Sequence, residues 1–175
     1  MVVPAARLRA GGFDSALAVP APVDGTMRTI GPFAILAHAL PTTLAPGALP
    51  TGEDVRPHPH VGLAALSYLF DGAMTHRDSL GNRQEIEPGA VNWMIAGSGI
   101  VHSERYERLR RDGGTMHGLQ ILIALPDAEE DRPPSFAHHS AESLPKLQAL
   151  GVSGTLLAGS LDGHVSPVRV MSPLY

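Results

Sequence analysis

Two pairs of side chains in this sequence have the residue types and the spacing that could bind a metal ion. His58 and His60 are separated by one proline, and His102 and Glu104 are separated by one serine. In an extended strand, side chains two positions apart lie on the same face, with their Cα atoms roughly 6–7 Å apart. The two prolines that flank His58 favour an extended backbone. We therefore predict that two strands bring all four side chains into one mononuclear metal site inside a small β-barrel.

The chemistry of these ligands restricts the metal without identifying it. The chain contains no cysteine, so disulfides, thiolate metal sites and a cysteine nucleophile are excluded. Three imidazoles and one carboxylate suit Fe(II), Mn(II), Zn(II), Ni(II) or Cu(II). An octahedral ion would keep two open positions for water, dioxygen or a chelating substrate, whereas a tetrahedral zinc would be closed and structural. The spacing alone leaves both interpretations open.

Each pair also has a plainer interpretation. A single His-x-His pair is more often solvated or hydrogen-bonded than metal-binding, and Glu104 begins a mixed charge run, 104–112, that is typical of an exposed face. The presence of two pairs on separate predicted strands favours the metal. Five further histidines are interpreted as surface or hydrogen-bonded residues: His38, His76, His138, His139 and His164. Candidates for a cavity wall are His117, Trp93, Met94, Phe33 and Tyr68, although core packing is the default expectation for Trp93.

The overall composition excludes some classes of function. Apolar residues make up 43% of the chain, which is typical of a globular domain with a buried core. With 13 Lys and Arg against 17 Asp and Glu, the formal net charge is -4, so we expect no direct binding to nucleic acid. We recognise no signal sequence, and no apolar run approaches the roughly 20 residues needed to cross a bilayer. We therefore expect a cytoplasmic protein that does not bind membranes.

The turn-forming residues predict an all-β fold. The 19 glycines and 16 prolines occur throughout the chain and indicate short strands separated by turns. Asp71-Gly72 predicts a tight hairpin, and residues 78–82 predict a longer hairpin loop. Two short connecting helices are predicted at 126–131 and 140–149. The predicted strands are 33–40, 61–70, 73–77, 91–96, 100–106, 118–125 and 165–171. This pattern favours a barrel or a sandwich.

Several of these segments together resemble the pirin family of the cupin superfamily. The motifs that carry the resemblance, between about residues 31 and 136, are DVRPHPH (54–60), YLFDG (68–72), HRDSLGN (76–82), PGAVNWMIAGSGIVHSE (88–104), HGLQ (117–120), ALP (124–126) and PSF (134–136). A looser similarity reaches the final residues 172–175. The resemblance implies a cupin-type β-barrel, that is, a double-stranded β-helix or jelly roll, with one or two short connecting helices.

The resemblance also implies how the chain is divided. We expect a poorly patterned N-terminal segment (1–30), the N-terminal cupin barrel of a pirin (31–137), and a linker helix followed by the start of an incomplete second cupin (138–175). Pirins are bicupins, and about the last hundred residues of a typical member have no counterpart in this sequence. The apolar surface that a second barrel would meet is then covered by residues 150–175 or by a partner subunit, or it stays exposed; a homo-oligomer is the inference we draw.

The family pattern assigns the metal ligands. In pirins the N-terminal barrel binds one ion, usually described as iron, through three histidines and one glutamate. By motif these fall on His58, His60, His102 and Glu104, so the resemblance implies one divalent ion per chain, with Fe(II) favoured over Mn, Ni, Co, Cu or Zn. Ala64 stands where many cupins have a glutamate, but pirin-like sequences use the later glutamate instead.

The family pattern also implies two classes of function. Several pirins are quercetin 2,3-dioxygenases, which open the central ring of a flavonol with dioxygen, and an animal member is a transcriptional coregulator. The first expectation is therefore a metal-dependent dioxygenase that takes O2 and a flavonol-like substrate, with Glu104 as ligand and general base. The alternative is a non-catalytic, redox-responsive iron-binding regulator that binds a protein partner. A barrel without activity is disfavoured by the complete ligand set.

Overall fold

The computed structural model describes residues 6–10, 13–17, 29–149 and 151–172 of the 175-residue chain. Most of the predicted N-terminal segment therefore lies outside the described residues. The helical elements of the described part are α1 (Glu107–Asp112) and one 3-10 turn (Thr51–Glu53). No helix within the described ranges is long and apolar enough to span a membrane.

Strands make up most of the described structure. In chain order they are β1 (Ala6–Ala10), β2 (Phe13–Leu17), β3 (Phe33–Leu44), β4 (Val55–His60), β5 (Leu63–Asp71), β6 (Met74–Asp78), β7 (Arg83–Ile86), β8 (Val91–Ile95), β9 (Ile100–Arg105), β10 (Gly114–Ala124), β11 (Ser135–His139), β12 (Lys146–Ala149), β13 (Val152–Thr155), β14 (Ser160–Leu161) and β15 (His164–Val165).

Two antiparallel sheets form the body of the fold. The larger sheet has the strand order β1-β2-β3-β10-β5-β8-β11, and the smaller has the order β4-β9-β6-β7. Side chains from both sheets line one common cavity, so the sheets enclose it as the walls of a barrel. The all-β, cupin-type prediction is thus confirmed.

The larger sheet is buried on both faces. On β5, Ser67 and Leu69 line the cavity, whereas Leu66 and Tyr68 belong to a core cluster on the opposite face. Val168 is 2% exposed and packs in that cluster, so the C-terminal part of the described chain covers the outer face. Burial on both faces explains why β5 is almost continuously apolar and does not alternate with polar residues.

The Asp71-Gly72 turn is not the hairpin that its residue types predict. β5 pairs with β8 and β10 in the larger sheet, whereas β6 pairs with β7 and β9 in the smaller one. The turn is therefore a corner that takes the chain from one sheet to the other. Gly72 has φ +95°, and a Cβ atom there would lie 2.6 Å from the carbonyl oxygen of Thr115. The hairpin predicted at 78–82 is confirmed between β6 and β7.

The two predicted connecting helices are wrong. Residues 127–131 form turns, in which the N–H of Glu129 donates to the carbonyl of Pro126. The predicted linker helix at 140–149 is a turn followed by strand β12. Pro145 lies in the middle of that segment, and proline lacks the N–H and the steric room that a helix interior requires. The helix α1 forms instead within the charge run that follows Glu104.

The strand predicted at 165–171 is also largely absent. Only its first residue belongs to a strand, β15, and residues 166–172 have irregular structure. Pro167 cannot donate to a strand ladder, and Val168 packs instead against the outer face of the larger sheet. The hydrophobic residues of this segment thus belong to the core without forming a strand.

Candidate metal centre

Strands β4 and β9 bring the predicted ligands together as antiparallel neighbours in the smaller sheet. His58 lies directly opposite His102 in the register, and His60 lies two positions further along β4. β4 is an edge strand, where residues that cannot donate to a ladder are tolerated. The prolines at 57 and 59 therefore fit the position of the strand that carries them.

The three imidazole rings form a compact cluster. The ring centroids are 4.4 Å apart for His58 and His102, 4.8 Å for His58 and His60, and 5.0 Å for His60 and His102. One nitrogen from each ring lies within 4.8 Å of the corresponding nitrogens of the other two. A divalent ion bound about 2.1 Å from each nitrogen fits among rings at this spacing.

Glu104 lies beside the three-histidine cluster and lines the same cavity. Its Oε1 atom is 3.9 Å from Nδ1 of His102, and its side chain is 10% exposed. The carboxylate is thus close to the cluster, which itself consists of the three histidines. That Glu104 coordinates the same metal ion as the three histidines stays a prediction.

His102 provides a test of whether the cluster suits a metal. The residue is 4% exposed, and neither of its ring nitrogens has a hydrogen-bond partner among the described residues. A buried polar atom without a partner costs about 1–3 kcal/mol, and a bound ion removes that cost for the nitrogen that binds it. Three imidazoles and a nearby carboxylate also form a donor set suited to a divalent transition metal. The residues present therefore fit a metal ion.

Burial and neighbouring charges keep the rings of His60 and His102 in the form that binds metals. Burial, followed by the charges of His58, His60 and His76, lowers the pKa of His102 to about 3, although Asp78 acts in the opposite direction. Burial and then the charge of His58 also lower the pKa of His60. Metals bind neutral imidazole, so at neutral pH no proton has to leave His60 or His102.

Burial has the opposite effect on the neighbouring carboxyl group. It raises the pKa of Glu104 to about 7, although the charge of His58 acts to lower it. A carboxyl group whose pKa lies near the working pH can both accept and release a proton, which is what general acid–base catalysis requires. A carboxyl group with this pKa, beside the histidine cluster, has the property that a proton-exchanging group needs.

A backbone contact determines which nitrogen of His58 is available. A carbonyl oxygen only accepts hydrogen bonds, so the Nδ1–H of His58 donates to the carbonyl oxygen of Arg56, at 2.9 Å. The lone pair of Nε2 is then free for a metal. Backbone hydrogen bonds commonly orient metal-binding histidines in this way.

His76 packs against the cluster without joining it. The residue is 4% exposed. Its ring stacks on Phe136 at a centroid distance of 4.3 Å and lies 5.3 Å from the ring of His102. Its Nε2 is 2.9 Å from Oδ2 of Asp78. Of the two predicted alternatives for His76, surface or hydrogen-bonded, the hydrogen-bonded one is confirmed.

The cluster faces a cavity with a volume of about 250 Å³. Most of the side chains that line it are apolar, including Phe13, Ile35, Leu69, Met74, Met116 and Leu122. A ligand in this cavity would contact imidazole and carboxylate groups on the smaller sheet and hydrocarbon over most of the remaining surface. Such a mixture is typical of sites for small organic ligands.

The residues predicted to form the cavity wall have other positions. For Trp93 the default of core packing is confirmed, whereas the cavity-wall prediction is wrong for Met94, Phe33 and Tyr68. All four residues belong to or pack against core clusters, and none lines the cavity. His117 also lies outside the cavity lining, and its Nε2 is 2.8 Å from Nε2 of His38. The period-two pattern identifies these residues as buried but does not say which face of the sheet borders the cavity.

Sequence reasoning missed the polar residues Ser67 and Gln120, which line the cavity on the larger sheet. Ser67 on β5 and Gln120 on β10 lie opposite each other in the register of the larger sheet. The available signal was the strand pattern at 118–125, in which Gln120 is the one polar side chain in an otherwise apolar strand. An isolated polar residue of this kind marks either a solvated face or a polar spot in a cavity.

Comparison with known proteins is consistent with this fold. The family model described as Pirin matches residues 14–123, more than half of the chain. A pirin-like protein of Caulobacter vibrioides is 50% identical over 149 residues, which are 85% of this chain and 51% of that protein. Pirin-1 of Arabidopsis thaliana is 35% identical over 116 residues, which are 66% of this chain and 39% of that protein.

A solved structure has a similar fold. The crystal structure of a quercetin 2,3-dioxygenase from Acinetobacter baumannii matches with a TM-score of 0.82 and 36% identity, covering 96% of this chain and 53% of that one. This chain therefore spans about half the length of the relatives that it matches. From its motifs, its barrel and the agreement of sequence and structure comparisons, the chain belongs to the pirin family.

Proposed function

We propose that this protein is a metal-dependent dioxygenase of the pirin type, which opens the central ring of a quercetin-like flavonol with dioxygen. The observation that carries the proposal is the three-histidine cluster with a buried glutamate beside it, at the wall of an apolar cavity. The name of the Acinetobacter baumannii protein, quercetin 2,3-dioxygenase, supports the same class of substrate.

In this proposal His58, His60, His102 and Glu104 hold one divalent ion per chain, with Fe(II) as the native metal. When bound, the ion supplies Lewis-acid activation of the substrate hydroxyl and redox chemistry with dioxygen. His58 and His60 are half-buried, so the proposed ligand set is reached by small molecules and is not sealed in the core.

Glu104 has a second proposed role as the base. Its carboxylate accepts the proton of the flavonol 3-hydroxyl when the substrate binds, and so changes from ligand to proton acceptor. The raised pKa of about 7 supports this role, because it makes the carboxylate a better proton acceptor than an exposed glutamate. The apolar lining packs against the aromatic rings and excludes water from them.

The test is turnover by metal-loaded protein. Separate samples are loaded with Fe(II), Mn(II), Co(II), Ni(II) or Cu(II), mixed with quercetin without oxygen, and then exposed to air. We expect the flavonol absorbance to fall and carbon monoxide to be released with at least one metal. Absence of turnover with all five metals would falsify the proposed activity.

Two variants make this test specific to the site. Glu104→Gln keeps the shape of the side chain but removes the base, so we expect turnover to fall by a factor of about 100 or more in metal-saturated protein. His164→Ala is the matched control, because His164 is exposed and lies on β15. Turnover by this control should equal that of the original protein.

A further inference from the structure

The wall of the cavity formed by the larger sheet carries a polar pair. The Ser67 hydroxyl donates a hydrogen bond to Oε1 of Gln120, at 2.7 Å. Both residues line the cavity that the three histidines and Glu104 also line. The histidines belong to the smaller sheet and the polar pair to the larger one, so a ligand between the sheets has polar groups at two separate places.

Some of the residues beside this pair on the larger sheet are small. Gln120 lies opposite Ala37 on β3 and opposite Ser67 on β5, and Ala39 and Gly118 line the same cavity. A Cβ atom at Gly118 would lie 2.7 Å from Leu69 Cδ2 and from the Tyr68 carbonyl oxygen, so no larger residue fits there without movement. The amide of Gln120 is thus the long polar group on a part of the wall that is otherwise hydrocarbon, with the Leu69 side chain packed over Gly118.

The hydrogen bond with Ser67 leaves part of the Gln120 amide available. A glutamine amide has an accepting oxygen and two N–H donors. The oxygen accepts from Ser67, and no described residue accepts a hydrogen bond from the nitrogen. A polar group in apolar surroundings is stabilised by gaining a partner, so the free N–H groups favour a ligand that has an oxygen at this position.

We propose that Gln120 selects flavonols by donating a hydrogen bond from Nε2 to a hydroxyl oxygen on the pendant phenyl ring, with Ser67 holding the amide in the donating orientation. This inference rests on the proposed function. The metal-binding oxygens of a flavonol are on its central ring, which has to face the histidines. The oxygen that reaches the other sheet is therefore on a ring remote from them, and the pendant ring is the one that rotates freely into place.

The test compares three flavonols that differ only in the pendant ring, which carries no hydroxyl, one hydroxyl or two. The variant Gln120→Leu has a similar volume and lacks the amide. We expect its kcat/KM to fall about tenfold for the two flavonols with hydroxylated pendant rings, because a hydrogen bond is lost in a desolvated site. For the flavonol whose pendant ring has no hydroxyl, kcat/KM should change less than about twofold. Ser67→Ala should give a smaller loss with the same dependence on the hydroxyl group.

Binding is measured separately from turnover. Each flavonol is titrated without oxygen into the metal-loaded protein, and its absorbance gives the dissociation constant. Gln120→Met, which is unbranched like glutamine, provides a second variant if Gln120→Leu does not fold. An equal effect on all three flavonols, in binding and in turnover, overturns the role of Gln120 while leaving the dioxygenase proposal intact.

The other arm of the experiment separates the two proposals. If the original protein turns over none of the three flavonols, the dioxygenase proposal fails. The dissociation constants then decide the role of Gln120. If Gln120→Leu binds only the hydroxylated flavonols more weakly than the original protein does, the role of Gln120 is supported without catalysis. If none of the flavonols binds, both proposals are overturned.

Discussion

Of the three clustered histidines, His102 is the one that a bound metal would stabilise most. It is the most buried of the three clustered histidines, and its two ring nitrogens have no described hydrogen-bond partner. A solvated histidine has water as an alternative partner, but a buried one does not. In the proposed metal site the free-energy gain from a bound ion is therefore largest at this residue. Its replacement by alanine would remove a proposed ligand and the ring that packs against His58 and His60.

We predict that His102→Ala loses most of its metal. The original protein should bind about one divalent ion per chain and gain roughly 3 kcal/mol of stability when the free metal is about a hundred times the dissociation constant. His102→Ala should show neither effect. Metal analysis and thermal unfolding with and without metal measure both, and His164→Ala is the control. Unchanged metal content in His102→Ala would rule out the three-histidine site.

At the scale of elements, Asp78 holds the loop that joins β6 and β7. Its Oδ1 accepts hydrogen bonds from the backbone N–H groups of Leu80 and Asn82, and its Oδ2 accepts from His76. Burial acts to raise the pKa of Asp78, but the hydrogen bonds from His76 and Asn82 and the charge of His76 outweigh it, so the pKa lies below its ordinary value. The charged carboxylate thus stabilises the folded hairpin.

We predict that Asp78→Ala lowers the free energy of unfolding by about 2 kcal/mol, because several hydrogen bonds to a charged group are lost. A carboxyl with a depressed pKa contributes stability above its unfolded-state pKa and loses it as the pH falls through the folded-state value. The difference between the two proteins should therefore shrink below about pH 4. Urea unfolding at several pH values in the presence of a chelator measures this.

The matched control for Asp78 is Asp112. Its carboxylate pairs with Arg111 at the surface, with side chains 51% and 71% exposed. Exposed ion pairs add little to stability, so Asp112→Ala should leave the free energy of unfolding unchanged. Equal losses in the two variants would show that the loop does not depend on Asp78.

The corner between β5 and β6 depends on Gly72 for two separate reasons. Its φ of +95° is unfavourable for other residues, and a Cβ atom would collide with the Thr115 carbonyl oxygen at 2.6 Å. Gly81 in the β6–β7 loop has a similar φ of +90°, but a Cβ atom there would meet nothing within 4 Å. Alanine substitutions at Gly72 and Gly81 therefore separate the free-energy cost of the backbone conformation from that of the steric clash.

We predict that Gly81→Ala lowers the free energy of unfolding by about 1–2 kcal/mol, which is the usual cost of a left-handed backbone conformation for alanine. Gly72→Ala should cost at least about 2 kcal/mol more, because it also forces two strands apart. Denaturant unfolding measures both free energies. If both variants lose the same free energy of unfolding, the corner accommodates a Cβ atom without strain and the close approach of Gly72 to β10 is unimportant.

At the scale of the whole molecule, the larger sheet has a second core on the face away from the cavity. The indole Nε1–H of Trp93 donates to the carbonyl oxygen of Arg169, at 3.1 Å, and Val168 packs in the same cluster. Residues near the C-terminal end of the described chain thus stabilise the sheet that carries Ser67 and Gln120. The expected homo-oligomer and the cytoplasmic location stay predictions.

We predict that Val168→Ala destabilises the protein by about 1–2 kcal/mol, because it removes two buried methyl groups and leaves a gap over the sheet. Val165→Ala is the control in the same segment, since Val165 is 71% exposed. It should change the free energy of unfolding by less than about 0.5 kcal/mol. If both variants behave alike in urea unfolding, the segment does not cover the sheet in solution.

The sequence by itself determined the features that depend on neighbouring residues. The spacing of His58 and His60, and of His102 and Glu104, predicts same-face pairs because side chains alternate along any strand. The turn at 78–82 and most of the strands that carry the site follow from local residue types in the same way. The ligand chemistry followed from composition, since a chain without cysteine offers nitrogen and oxygen donors for a metal.

The tertiary structure alone decided what depends on residues far apart in the chain. Only the register of β4 and β9 places His58 opposite His102, and only the assignment of β5 and β6 to different sheets turns Asp71-Gly72 into a corner. The strand pattern could not show that Gln120 faces the cavity while Trp93 faces the outer core. Local periodicity says that two faces exist, whereas long-range packing decides which elements cover each face.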